Sequence, residues 1–189
     1  EVDEGVPRSW EMDLARELAS KLEYPHYAVG HNVSLRKGRY GNATLSRYPI
    51  LRERNIDLTI GQKKRRGRQH TTPQVTKVKG PPHSPDVFNL HLGLGARERQ
   101  KQAGLLARSK EFRDLDPDVA CLLGGDFNDW RGRAEQHLHD DLGVNEVFKE
   151  TNGAYARTFP AWFPMLSMDR IYYRGLDIVD CSHLRGQPW

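Results

Sequence analysis

The stretch Val119-Ala120-Cys121-Leu122-Leu123-Gly124-Gly125-Asp126-Phe127-Asn128 constrains the fold more than any other part of the sequence. Five apolar residues in a row are short for a helix and show no polar face, so both sides of the segment must be covered. The pattern predicts a central strand that ends at the glycines and delivers polar residues at its C-terminal tip. Glycines there let backbone or a phosphate approach closely. Asp126 and Asn128 are two residues apart. In extended chain they point the same way, while Phe127 points into the core. A carboxylate and a carboxamide facing one spot suit a hard divalent cation or a phosphate oxygen. The same residues also suit an Asx turn that closes a strand.

Helical and extended patterns alternate around this strand. Ser9 predicts an N-cap, and Trp10, Leu14, Leu18 and Leu22 at i+4 spacing predict an apolar stripe on a first helix. Strands are expected over 27–33, 43–46, 55–60, 74–78 and 87–92, with turn chemistry at 37–42 and a loop at 80–85. A long helix is expected over 96–115 and another over 134–142. Short strands are expected over 157–159, 169–173 and 176–179. No repeat or long linker divides the chain, so the expectation is one domain over residues 1–189 of the α/β or α+β class.

Composition removes several function classes. No apolar run approaches the ~18–20 residues of a membrane-spanning helix. With 37% hydrophobic and 29% charged residues the chain is not wholly disordered. Cys121 and Cys181 are too few for a disulfide scaffold or a cysteine zinc site. They are expected to be reduced thiols, Cys121 buried, in a cytoplasmic protein. The formal net charge is +4, and residues 63–68 carry five positives, so the rest of the chain is close to neutral. That segment has three readings: contact with a phosphodiester backbone through counterion release, a solvated loop tip, or attraction to anionic lipid.

Three further residues carry chemistry. His91 ends an apolar strand, where an imidazole donates to a phosphate oxygen, acts as a general acid, or is simply hydrogen-bonded. Asp169 precedes an apolar-aromatic strand, where it orients a histidine, holds a metal, or pairs with a neighbouring cation. The remaining histidines, including His137 and His139, lack metal-ligand spacing and are expected to be solvated.

Taken in order, these motifs resemble the endonuclease/exonuclease/phosphatase superfamily, to which the DNase I-like nucleases belong. Gly41-Asn42-Ala43-Thr44-Leu45-Ser46-Arg47-Tyr48-Pro49-Ile50 is similar to the family's G-N-A-x-L-S-R-x-P-I stretch. Asn89-Leu90-His91-Leu92 resembles its T/N-x-H-L strand end, and Arg97-Glu98-Arg99-Gln100-Lys101-Gln102 its R-x-x-Q helix start. Gly125-Asp126-Phe127-Asn128 matches G-D-F-N, Ser167-Met168-Asp169-Arg170-Ile171 resembles L-D-R-I/Y, and Glu1-Val2-Asp3 resembles the tail of Q-E-V. Tyr173-Arg174-Gly175 resembles a signature of small bacterial members.

The resemblance implies a DNase I-like four-layer sandwich of two β-sheets flanked by helices. It implies hydrolysis of phosphoester bonds with Mg²⁺, or with Mn²⁺ in its place, on nucleic acid, a phosphorylated small molecule or a lipid headgroup. It implies Glu1 as the metal carboxylate and Asp126 as the group that aligns or deprotonates water or protonates the leaving oxygen. Asn128 and His91 would bind the phosphate and stabilise its growing charge, and Asp169 would orient the catalytic histidine. Asn42 and Arg66 would be phosphate contacts. The family pattern also includes an Asn-bearing first strand and a final S-D-H, and neither is present in these residues. The expectation is therefore a domain lacking its first strand and final S-D-H strand, and a poorer catalyst than a version extended at both ends. The rival expectation is a catalytically incomplete phosphate- or nucleic-acid-binding module that uses loop 63–68.

Overall fold

The computed structural model describes residues 1–61, 67–75 and 84–183, with the side chains of Gly67 and Arg68 outside that set. The basic residues 63–66, Arg66 included, lie outside the described residues, as does most of the expected strand 74–78 and of the loop 80–85. Contacts divide the chain into two compact units, Glu1–His91 and Leu92 onward.

The first unit contains β1 (Val2–Glu4), α1 (Leu14–Lys21), β2 (His26–Ser34), β3 (Arg39–Ser46), β4 (Ile50–Asp57), β5 (Gly67–Pro73) and β6 (Asp86–His91). β3 lies between β1 and β2, antiparallel to both. β5 lies between β4 and β6, again antiparallel to both. β2 and β3 pack against β4, β5 and β6.

Polar groups bond the two sets of strands. Thr44 Oγ1 donates to Gln69 Oε1 at 2.8 Å, Asn89 Nδ2 to the Ala43 carbonyl at 2.8 Å, and Asn55 Nδ2 to the His31 carbonyl at 2.8 Å. Gln69 and Asn42 are buried. Buried polar groups are tolerated when they are bonded, and such bonds also fix the register between the strands. Close approach adds a second constraint. A Cβ on Gly41 would sit 2.0 Å from the carbonyl oxygen of Gly30 on the paired strand β2, so this position in the sheet accepts only glycine. β4 is an edge strand, with Arg52, Glu53 and Arg54 exposed along it.

The start of this unit departs from the expected amphipathic helix. Pro7–Ser9 forms a 3-10 turn, and α1 begins at Leu14 with Asp13 as its N-cap, accepting from Arg16 N at 3.1 Å. Trp10 is 84% exposed, and Leu18 and Leu22 are also exposed. The buried face is Ala15 and Ala19. Small side chains let the helix backbone lie close against β1, β2 and β3, which a leucine stripe would hold away. His70 is likewise not solvated. Its Nε2 is 2.5 Å from Asp86 Oδ1, and its ring stacks on Phe88 at 4.5 Å.

The second unit contains α2 (Ala96–Arg108), α3 (Lys110–Arg113), β7 (Cys121–Asp126), α4 (Glu135–Leu142), β8 (Asn145–Glu146), α5 (Val147–Asn152) and β9 (Asp169–Arg174). β9 lies between β7 and β8, antiparallel to both. The single helix expected over 96–115 breaks at Ser109, which is extended at ψ 146° and whose Oγ donates to the Leu106 carbonyl at 2.7 Å. A serine bonding back to the preceding turn competes with helix continuation. The expected strand 176–179 has no regular structure, and Val179 is fully exposed. Cys121, Leu123, Phe127, Leu138, Leu142 and Tyr172 are buried, with the Phe127 and Tyr172 rings 5.0 Å apart. Both cysteines are unbridged.

The contrast between two glycines tests the close approach of β2 and β3. Gly41→Ala is expected to cost about 3 kcal/mol or more, because the backbones must separate. Gly124→Ala, whose Cβ meets no described atom within 4 Å, is expected to cost less than about 1 kcal/mol. Urea unfolding of both variants measures this, and equal losses would refute the close approach as the constraint.

Candidate functional site

In the second unit the chain turns sharply at the end of β7. Asp126 is the last strand residue, and its Oδ1 accepts from Asn128 N at 2.8 Å. Asn128 is left-handed at φ 51°, and Gly125 sits at φ 138°, a region open to glycine. The arrangement is an Asx turn. The extended reading, with both side chains pointing the same way, is corrected by the left-handed backbone at Asn128. Phe127 is fully buried, as its position predicts, and its N–H donates to the Met168 carbonyl at 2.9 Å. Leu92 clamps the turn from the side. Its N–H donates to the Asp126 carbonyl at 2.9 Å, and its carbonyl accepts Asn128 Nδ2 at 2.8 Å.

The next residue holds the turn in place. Asp129 is 1% exposed. Its Oδ2 accepts Ala134 N at 2.7 Å and its Oδ1 accepts Arg99 Nη2 at 3.3 Å. Its carbonyl accepts Arg170 Nη2 at 3.0 Å. Arg99 also donates to the Leu94 carbonyl at 2.6 Å. Sequence reading passed over Asp129, although its place directly after Asn128 is a signal. It quoted Arg99 without a role.

Arg170 lies buried, with its guanidinium 3.6 Å from the Tyr155 ring centroid. The Tyr155 hydroxyl donates to Glu135, which also pairs with Lys149 Nζ at 2.8 Å. Burial acts to raise the Glu135 pKa, but the hydrogen bonds from Lys149 and Tyr155 prevail and lower it. Burial and the adjacent Glu135 push the Tyr155 hydroxyl up. Asp169 opens β9 directly opposite Asp126, and its N–H donates to Thr158 Oγ1 at 3.1 Å. Its side chain is exposed.

In the first unit His91 Nδ1 faces Glu1 Oε1, and the Tyr40 hydroxyl donates to the same oxygen at 2.5 Å. An ionised carboxylate only accepts, so His91 Nδ1 carries the proton in this pair. Burial works against ionisation of Glu1, but the bonds from His91 and Tyr40 outweigh it and hold the carboxyl at about 2. Its side chain is still 41% exposed. Asn42 is buried in the interior of this unit, its Nδ2 donating to the Asn89 carbonyl at 3.3 Å. Of the residues singled out by sequence, the structure therefore pairs Glu1 with His91. Within the other unit it brings Asp126, Asn128 and Asp169 to one strand end.

Comparison with known proteins covers nearly the whole chain. The endonuclease/exonuclease/phosphatase family model matches residues 4–188. The uncharacterized protein YbhP of Escherichia coli K12 is 34% identical over 184 residues, covering 96% of this chain and 70% of that protein. An endonuclease/exonuclease/phosphatase of Beutenbergia cavernae superposes with a TM-score of 0.69 at 18% identity, over 87% of this chain. This chain spans half the length of that structure's chain. D. rerio TDP2, complexed with a single-strand DNA product, superposes with a TM-score of 0.61 at 16% identity, over 91% of this chain and 68% of its own. The fold they share is the DNase I-like one, two β-sheets flanked by helices.

Two measurements test the scaffold. Asn128→Ala loses the bond to Leu92 and leaves a non-glycine at positive φ, for an expected loss of about 2–3 kcal/mol. Asn128→Gly relieves the backbone and is expected to be about 1 kcal/mol less damaging. The reverse order in urea unfolding would contradict the left-handed turn. The stability that Glu135 contributes is complete above its unfolded value of 4.5 and disappears as pH falls through its lower native value. Glu135→Gln is therefore expected to flatten the fall in Tm below that pH, and an unchanged acid slope would remove Glu135 from the account.

Proposed function

Because this chain belongs to the endonuclease/exonuclease/phosphatase family, we propose that it hydrolyses phosphoester bonds with a divalent metal ion. The observation that carries the reading is the Asx turn at Asp126–Asn128, buttressed by Asp129 and set opposite Asp169 at one strand end.

Among the described residues no three His, Cys, Asp or Glu side chains form a metal cage, so Mg²⁺ would rest on one carboxylate and water. Glu1 offers an ionised carboxylate that stays partly open to water, and magnesium takes one or two carboxylates while keeping several waters. Mn²⁺ accepts the same hard oxygen donors. Bound there, the ion would supply Lewis-acid stabilisation to a phosphate oxygen.

The chain's own residues have separate duties. Asp126, oriented by the Asn128 N–H, aligns the attacking water or protonates the leaving oxygen. Asn128 and His91 donate to phosphate oxygens as their negative charge grows. Glu1 holds the Nδ1–H of His91, so the ring donates to a phosphate oxygen through Nε2–H, with both ring nitrogens then protonated. Asp169 carries the role of orienting a histidine. Asn42 and Arg66 are assigned to the phosphate by family position alone. The two unbridged cysteines support a cytoplasmic location. Among the described residues no helix is long and apolar enough to cross a membrane.

The test is hydrolysis of bis(p-nitrophenyl) phosphate with added Mg²⁺ or Mn²⁺. Turnover is expected to stop on chelation and to fall about 100-fold or more in Asp126→Ala and Asn128→Asp. Turnover that ignores chelation or Asp126→Ala would overturn the reading. Salt-sensitive binding of single-stranded DNA without any cleavage would instead assign the chain to the binding-module class.

A further inference from the structure

The segment between Arg157 and Asp169 has no part in the chemistry described above, and it is built in an unusual way. Residues 158–168 read Thr-Phe-Pro-Ala-Trp-Phe-Pro-Met-Leu-Ser-Met, without one charged side chain. They form an ordered hairpin. Phe159 and Leu166 bridge antiparallel, with Leu166 N donating to the Phe159 carbonyl at 2.8 Å and Phe159 N to the Leu166 carbonyl at 3.0 Å. Met165 N also donates to the Phe159 carbonyl, and Phe163 N to that of Pro160. At the tip Trp162 is 85% exposed, and Phe159, Phe163 and Met165 each expose more than half their surface. The Trp162 and Phe163 rings stand 6.2 Å apart. Four large apolar side chains held out by a fixed backbone are costly in water unless something covers them.

We propose that this hairpin is a docking surface for a lipid bilayer. Three observations choose the occupant. First, Trp162 has an apolar body and a polar N–H edge, which partitions into the membrane interface without needing a complementary pocket, and Phe159, Phe163 and Met165 add apolar surface around it. Second, the tip carries no Lys or Arg, whereas single-stranded nucleic acid is held by stacking combined with a cationic groove. Third, the hairpin is tied to the strand end that bears the proposed chemistry. Thr158 Oγ1 accepts from both Met168 N and Asp169 N, and Asp169 is paired opposite Asp126. Trp130, on the loop that leaves this same strand end, is a further half-exposed aromatic. The base of the hairpin therefore adjoins the Asp126 end of β7. The binding itself stands independently of the hydrolytic reading.

The experiment is co-sedimentation of the chain with phosphatidylcholine vesicles, with and without added phosphatidylglycerol, at low and high salt. Tryptophan emission is followed in parallel. Binding to pure phosphatidylcholine is expected, little affected by salt and accompanied by a blue shift. Trp162→Ala/Phe163→Ala is expected to weaken it about tenfold or more. Trp10→Ala, which changes an equally exposed tryptophan in the other unit, is expected to bind as wild type. Far-ultraviolet circular dichroism and Tm check that the variants fold. Absence of binding, or binding undiminished in the double variant, would overturn the proposal. So would binding that needs phosphatidylglycerol and vanishes with salt, which would point to the basic segment 63–68. Loss of single-stranded DNA affinity or of self-association in the double variant, without loss of vesicle binding, would assign the tip to those partners instead. Hydrolysis of bis(p-nitrophenyl) phosphate by the double variant separates the two readings. It should be unchanged where the hydrolytic reading holds, and vesicle binding is scored whether or not turnover is seen.

Discussion

A carboxylate with almost no access to water governs the second unit. Asp129 cannot be buried as an anion without partners, because desolvation of an isolated charge costs far more than folding leaves in hand. Its partners come from the start of α2 (Arg99) and the start of α4 (the Ala134 N–H), and Arg170 on β9 holds its carbonyl. One residue, through its side chain and its carbonyl, thus ties two helices and a strand to the loop leaving β7. The left-handed Asn128 and the end of the strand at Asp126 are held between that knot and Leu92. A strained turn persists only where its surroundings over-determine it.

The first unit reaches order differently. Its interior between strands is stitched by amides and hydroxyls, and Gly41 lets the paired strand β2 approach closely at Gly30. Such an interior specifies register strongly, because a slip would leave Gln69 and Asn89 unsatisfied at once. Asn42 belongs to this stitching.

What the sequence made legible follows from how local each signal is. The Val119–Leu123 run, the buried Phe127 and the strand leading to His91 are read from period and apolarity, which a few neighbouring residues determine. The direction of Asn128 was not legible. Two-residue spacing presumes extended backbone, and the positive φ arises from the Asp126 side chain bonding forward. The first helix misled because leucines outweigh alanines in any hydrophobic count, whereas packing distance favoured Ala15 and Ala19. His70 escaped notice because its partner Asp86 is sixteen residues away, on another strand. Glu1 found His91 across the length of the unit, a pairing that no local spacing reveals.

The charges along β4 have a consequence for the protein in concentrated solution. An edge strand offers a row of backbone donors and acceptors that a second extended chain can join, and growth by such additions has no natural end. Arg52, Glu53 and Arg54 surround that row with bound water and with charges of both signs. An incoming strand would have to strip that water and match the charge pattern residue by residue. The same exposed side chains that contribute nothing to the core therefore keep the sheet finite.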